Sequence, residues 1–301
     1  SLDTARRAVA ARENSETRIM TMRELETPRV TYRLHRGQYN EPREVVEPST
    51  PTHIFPFANG LPPNRLGLAE WTLDRANPLT ARVAVNRLWL MVFGEGLLAT
   101  PDNFGSQSLP PSHPHVLDTL AVDFIDSNWD IKAMLKRMVM SSTYRQRSRA
   151  STLARTIDPD NRLLSHASPR RLTAEMLRDQ ALAASGLLVS TMGGASVFPF
   201  EPPALWKEKS GKQYPTSQGD ALHRRSLYTY WKRTSPPPSM MIFDAAKRDV
   251  CVAKRSSTST PLQALVLLND PQFVEVFLLA QKTRFREPHR YRRGSGSSTA
   301  S

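Results

Sequence analysis

Apolar residues along this chain recur mostly at helical spacing. After Asp130, the residues Ile131, Met134, Leu135, Met138 and Val139 fall at i, i+3, i+4, i+7 and i+8, one face of a helix. Ser112 opens the preceding helix, with Val116, Leu117, Leu120, Ala121, Phe124 and Ile125 on one side. The short link between the two predicts an antiparallel pair. Asn77-Pro78 is a cap followed by proline in the first turn. The helix it starts carries Leu79, Val83, Leu90 and Phe93 and stops near Gly94 and Gly96. Leu66, Ala69 and Leu73 mark a shorter helix before it. Ser168-Pro169 begins a helix running to about Leu188. Thr260-Pro261 begins the last one, interrupted at Asn269-Asp-Pro271 and resumed from Gln272 to Lys282. Helices are therefore expected near 64–75, 78–93, 114–128, 130–145, 169–188 and 260–283.

A different period appears near the start. Val30, Tyr32 and Leu34 alternate with Thr31 and Arg33, which predicts a strand. With the run Arg18–Met22 it would form a small two-stranded piece. Residues 1–16 read as the end of a helix begun upstream. Prolines 42, 48, 51, 56, 62 and 63 predict an extended arm over 40–63. Another Pro/Gly-rich loop covers 193–222, and Arg224–Lys232 suits either helix or strand. The expected fold is mainly α: an irregular helical domain with long Pro-rich loops and a small β piece near the N-terminus. Three parts are expected: a polar segment with the β piece and arm (1–63), the helical domain (64–283), and a basic, then Gly/Ser-rich, disordered tail (284–301).

Composition narrows the function classes. The 301 residues hold a single cysteine, Cys251. An internal disulfide is thus excluded, as is a zinc site needing two thiolates. No apolar run approaches the length of a membrane-spanning helix. The net charge is +13, of which the Arg284–Arg293 stretch supplies +4. The remaining excess is compatible with weak polyanion affinity. No basic stripe with interleaved aromatics accompanies it, so nucleic acid is not the expected partner. Catalytic and cofactor signatures are missing: no G-x-G-x-x-G, P-loop, H-E-x-x-H or G-x-S-x-G occurs. C-x-x-C-H is also absent, so no covalent haem attaches to this chain. His113 and His115 lack an evident third metal ligand, and Asp158 and Asp160 lack the rest of a calcium loop. No metal is expected, and Met134 and Met138 read as core filler.

What does stand out is polar residues within apolar helices. Arg82, Asn86 and Trp89 fall on one face with Arg87 beside them; Arg171, Glu175 and Arg178 share another, next to Asp179. Buried, such groups must pair or cost several kcal/mol each. Exposed, they are ordinary helix-surface pairs. Arg82 and Asn86 are expected to face protein groups, with acids such as Asp179 or Asp244 as partners. Cys251, between Val250 and Val252, is expected to be a small buried hydrophobe rather than a nucleophile.

Six strings carry a resemblance: Asn77-Pro-Leu-Thr-Ala-Arg-Val-Ala-Val-Asn-Arg-Leu-Trp89, Ser141-Ser-Thr-Tyr-Arg-Gln146, Asp158-Pro-Asp-Asn-Arg-Leu-Leu164, Arg224-Arg-Ser-Leu-Tyr228, Phe243-Asp-Ala245 and Thr260-Pro-Leu-Gln-Ala-Leu-Val-Leu-Leu-Asn-Asp-Pro271. In this order, from about Thr17 to Thr283, they resemble the C-terminal domain of unknown function of planctomycete secreted proteins. That domain typically follows a haem-bearing cytochrome-c-like domain. The resemblance implies an exported (periplasmic or extracellular) multidomain protein, with this chain as its tail and upstream domains of the same polypeptide as partners. Haem would sit only in an upstream domain, with no cofactor in this chain. The family brings no agreed activity, so no catalytic residue carries over. The motif positions that do are Arg82, Asn86, Arg87, Arg178, Asp179, Arg224, Arg225, Asp244, Arg248 and Cys251. The likeness stops after Thr283, which reads as a truncated or frame-shifted end.

Three classes of function follow. One is the substrate-binding part of a redox-linked enzyme acting on extracellular material such as polysaccharide; it requires a converging pocket with perturbed titratable groups. The second is a non-catalytic scaffolding or interaction domain, whose polar core would be paired internally. The third is polyanion or nucleic-acid binding, which rests on charge alone.

Overall fold

The computed structural model describes residues 2–15, 19–168 and 170–286. They are mainly helical, with one small two-stranded sheet near the N-terminus. The tail expected to be disordered lies, from residue 287 on, outside the described residues. The chain divides into two compact units between Ala81 and Arg82.

The first unit holds α1 (Leu2–Ser15), a hairpin and α2 (Arg65–Leu73). The hairpin pairs β1 (Thr31–Leu34) with β2 (Pro42–Val46), antiparallel, with Tyr32 opposite Val45. This corrects the sequence reading twice. Residues 19–22 form no strand, and the partner of β1 comes from the stretch expected to be a plain arm. The turn explains why. Arg36 (φ 48°) and Gly37 (φ 79°) reverse the chain in the left-handed region, and the His35 amide donates to the Glu41 carbonyl at 3.0 Å. Pro42 sits at the ladder's end, where its missing N–H costs least. In α2, Asn64 is the N-cap: its Oδ1 accepts from the amides of Leu66 and Gly67. Gly67 is required by contact, since a Cβ there would lie 2.0 Å from the Pro62 carbonyl oxygen.

In the second unit, residues 82–93 of α3 (Thr80–Phe93) pack with α4 (Pro114–Asp126) and α5 (Ile131–Met140) around one core. Val85, Leu88, Val92, Leu117, Leu120, Phe124, Met134 and Met138 form it. Both methionines are buried, as the helical stripe predicts. The four-residue α4–α5 link is tight: Asn128 and Trp129 both have φ near +60°, and Asp130 caps α5 through the Ala133 amide. α5 ends earlier than expected because Ser141 caps it and its Oγ turns to the Tyr144 amide and the Met138 carbonyl.

The rest is built on a second core. It contains Ala174, Met240, Phe243, Ala245 and Phe273. These come from α7 (Ala174–Ala184), α9 (Pro238–Ile242), the turn after it, and α11 (Pro271–Arg286), with α10 (Pro261–Asn269) adding Val266 and Leu267. α6 (Thr152–Ile157) and α8 (Pro203–Ser210) are short helices in the connecting segments. α7 is shorter than the expected 169–188, whose first proline lies outside the described residues. Thr173 caps it through the Met176 amide, and Gly186 (φ 77°) ends it. Among the described residues no single helix is long and apolar enough to cross a membrane; α10 and the first part of α11, taken together, bend by 63°.

Asn86 shows what a buried amide does here. It is fully buried in α3; Nδ2 donates to the Leu98 carbonyl (3.1 Å) and Oδ1 accepts from the Leu98 amide (2.9 Å). Its partner is therefore a backbone turn, not Asp179 or Asp244. Gly96 leaves the space for it, since a Cβ would come within 2.8 Å of both amide atoms. Asn86→Leu strands two buried backbone groups and should cost about 3 kcal/mol. The neighbouring exposed Arg87→Ala should stay within about 0.5 kcal/mol. Urea unfolding midpoints check this; equal effects for the two variants would contradict it.

Candidate functional site

The polar residues that the sequence singles out do not converge on one site. Arg82 donates from Nε to Asp118 Oδ1 at 2.7 Å, joining α3 to α4. Both side chains are more than a third exposed, so this is a surface ion pair worth at most about 1 kcal/mol. The expectation of Asp179 or Asp244 as its partner is corrected: those acids serve other cations. Arg87 is exposed on α3.

Arg178, Asp179 and Arg224 do come together. Arg178, on α7, is only 6% exposed. Its Nε donates to Gln272 Oε1 (2.9 Å), Nη1 to the Arg224 carbonyl (2.9 Å) and Ser226 Oγ (3.4 Å), and Nη2 to the Leu222 carbonyl (2.6 Å). Asp179 accepts the Ser226 amide at 2.7 Å. Burial pushes the Arg178 pKa down, while Asp179, Asp270 and Tyr214 push it up. Arg224 turns its own guanidinium outward. It stacks over the Tyr228 ring (3.8 Å) and donates to the carbonyls of Thr191, Gly193 and Ala195, gathering the loop after α7. Arg225 reaches Met192 Sδ at 3.7 Å.

Asp244 belongs to a second network. Arg171 lies before α7, not on the same face as Glu175 and Arg178, and donates to Asp244 Oδ2 (2.5 Å) and Gln263 Oε1 (2.9 Å). Asp244 also accepts the Thr258 amide (2.8 Å) and hydroxyl. The Thr258 amide, then Arg171, hold its carboxyl below the usual range. Glu175 is paired instead with Arg255, and Glu95 with Lys254. These contacts latch the 244–258 segment to the helices. Within it, Arg248 stacks over Trp231 at 4.4 Å and Cys251 is exposed. Burial of Cys251 was the expectation; its apolar neighbours Val250 and Val252 are exposed with it, because the polar latches on either side, rather than packing, hold the segment.

Sequence reasoning missed Glu201. It is 6% exposed, and among the described residues no hydrogen bond reaches its carboxyl. Around this segment Phe198, Trp206, Tyr214 and Tyr230 form a ring cluster with centroids 4.7–6.1 Å apart, and Lys232 lies over Trp206. Burial pushes the Glu201 pKa from 4.5 to about 7; burial and then the Glu201 charge push Tyr214 up. The available signal was a lone acid inside Phe198-Pro-Phe-Glu-Pro-Pro203, with no basic neighbour. A cavity of about 270 Å³ lies elsewhere, bounded by the end of α3 and residues 143–144 and 164–170. Neither Glu201 nor any of the ten motif residues lines it.

Residues 64–293 match the PSD1 family, described as a protein of unknown function (DUF1553). The chain belongs to the PSD1 family. No curated protein and no solved structure matches. The PSD1 match covers both polar networks and the cavity.

Glu201 makes the stability of this chain depend on pH. Its folded pKa lies above its unfolded value, so the native state binds the proton more tightly. Stability should fall as pH rises from about 4.5 to about 7 and stay low above that. Glu201→Gln should flatten this fall and melt higher than the wild type at pH 8. Melting curves at pH 5 and pH 8 test it; parallel wild-type and variant profiles would contradict it.

Proposed function

We propose that this PSD1 domain is a non-catalytic interaction module that positions neighbouring domains of an exported, multidomain protein. The observation that carries the reading is the internal pairing of Arg178. Every guanidinium nitrogen donates to a group of the same chain, four of its five N–H bonds are taken, and the side chain is buried, so it is not presented to a substrate. Arg171 and Asp244 are likewise spent on each other and on Thr258 and Gln263. A substrate-binding site built from these residues would need open donors around a pocket; here none of Arg171, Arg178 and Asp244 lines the cavity.

A surface for such interaction is available on α10 and α11. Leu262, Leu265, Leu268, Phe277 and Leu278 are all at least half exposed. Burying one such side chain against a neighbour contributes about 1.5–3 kcal/mol. The resemblance to planctomycete secreted proteins supplies the neighbour: an upstream domain of the same polypeptide, which would hold the haem that this chain does not.

Isothermal titration of this chain with the separately produced upstream part of its parent tests the proposal. Saturable binding is expected, and Leu265→Asp with Leu268→Asp should weaken it at least about tenfold, a loss of about 1.4 kcal/mol, while leaving the melting temperature unchanged. Turnover of a polysaccharide or redox substrate by this chain alone, or no association, would overturn it.

A further inference from the structure

The cavity beside the end of α3 has a chemistry of its own. We propose that it binds a small six-membered ring carrying a carboxylate. Its volume, about 270 Å³, is at the small end for ligand sites and suits a single ring.

One side is apolar. Phe93 and Tyr144 meet edge to face, at 81° with centroids 6.0 Å apart, and Leu164 adds to the same lining. Phe93 is fixed from behind by Trp89, stacked on it at 4.0 Å. Two rings at a right angle make a corner that accepts the face and edge of a flat or chair-shaped ring.

The opposite side is polar and held in place. Buried Asn161, in the left-handed region at φ 51°, donates from Nδ2 to the His166 carbonyl (2.8 Å) and to Ser168 Oγ (3.1 Å). Its Oδ1 accepts the Ser165 hydroxyl at 3.3 Å. Ser165 Oγ, its hydrogen given to Asn161, in turn accepts from His166 Nδ1 at 3.2 Å, so Nε2 of the neutral ring is an acceptor. The donor on this side is the Ser168 hydroxyl, which lines the cavity and is held by Asn161, so it binds with little ordering cost.

The charge comes from Arg170. It caps the last turn of α3 by donating from Nη1 to the Met91 carbonyl. Gly94, in the left-handed region at φ 86°, ends that helix beside the Arg170 stem. Among the described residues Nε and Nη2 of Arg170 have no partner, so part of the guanidinium fork remains for a carboxylate. The surroundings add positive potential. The Ala167 amide donates to the Arg147 carbonyl, tying the cavity wall to a segment that also carries Arg145 and Arg149. The nearby acid in sequence, Asp158, is occupied by the amides of Arg162 and Leu163.

Titration of the full chain by NMR tests this, with 4-hydroxybenzoate and glucuronate as the aromatic and sugar forms of the ligand. Their neutral counterparts, 4-methoxyphenol and glucose, are the controls. At least one acid should bind saturably, shift the Leu164 and Ala167 methyl signals, and bind at least about tenfold tighter than its neutral counterpart. Whichever acid binds names the source. Arg170→Gln and Tyr144→Ala should each weaken it about tenfold or more, whereas the exposed Lys136→Gln should not. Absence of saturation by both acids, equal binding of the neutral compounds, shifts that miss Leu164 and Ala167, or an equal loss in Lys136→Gln would each overturn the proposal. The methyl shifts are read on the wild-type chain, so the test stands even if a variant fails to fold.

Discussion

A buried guanidinium organises the second half of this molecule. Taking the Arg178 charge out of water costs several kcal/mol unless its donors are met. The nearby acids Asp179 and Asp270 offset part of that cost, and four acceptors, three from residues 222–226 and one from α11, offset more. The acceptors include the backbone carbonyls of Leu222 and Arg224. These can lie there only if the chain between α7 and α9 follows one path. With that path set, Ser226 gives its amide to Asp179, and the Val197 backbone bridges Tyr228 and Tyr230. The ring cluster is then assembled from Trp206 of α8 and the loop residues Phe198, Tyr214 and Tyr230.

This arrangement answers a physical problem posed by the composition. Residues 186–235 hold one α-helix, α8, two short 3-10 turns and isolated bridges. Without ladders, their backbone groups need other partners. Arginine, with five donors in a rigid fork, supplies several at once. Arg178, Arg224 and Arg171 each do this for a different stretch of chain. The consequence for function is direct: polar residues that look like a site from their spacing are consumed in holding the fold, and what remains for partners lies on outer surfaces and in the separate cavity.

The regular parts were legible from local pattern. α4 and α5 follow from a single apolar face each, and the break between α10 and α11 follows from Asn269-Asp-Pro271. Elsewhere the sequence signal was local and the answer was not. β2 escaped notice because Pro42-Arg-Glu-Val-Val46 has no apolar alternation and is exposed throughout, and its pairing is set by a left-handed turn at Arg36–Gly37. The Asn86 partner is a backbone turn twelve residues on, which side-chain chemistry alone does not reveal. Cys251 followed its flanking valines, but the latches at Lys254 and Arg255 hold that segment at the surface. Glu201 differs in kind: it is buried within electrostatic reach of Tyr214, thirteen residues on, and no helical or strand period marks it.

The most direct test of the organising role of Arg178 is hydrogen exchange combined with urea unfolding on Arg178→Met. Removing one partner from a buried charged network should cost about 3–5 kcal/mol. Amides of Val189, Val197 and Tyr230, which bond across the loops, should lose protection together, while those of α4 and α5 keep theirs. A stability change within about 0.5 kcal/mol, the range of ordinary surface substitutions, with loop protection intact, would contradict the account.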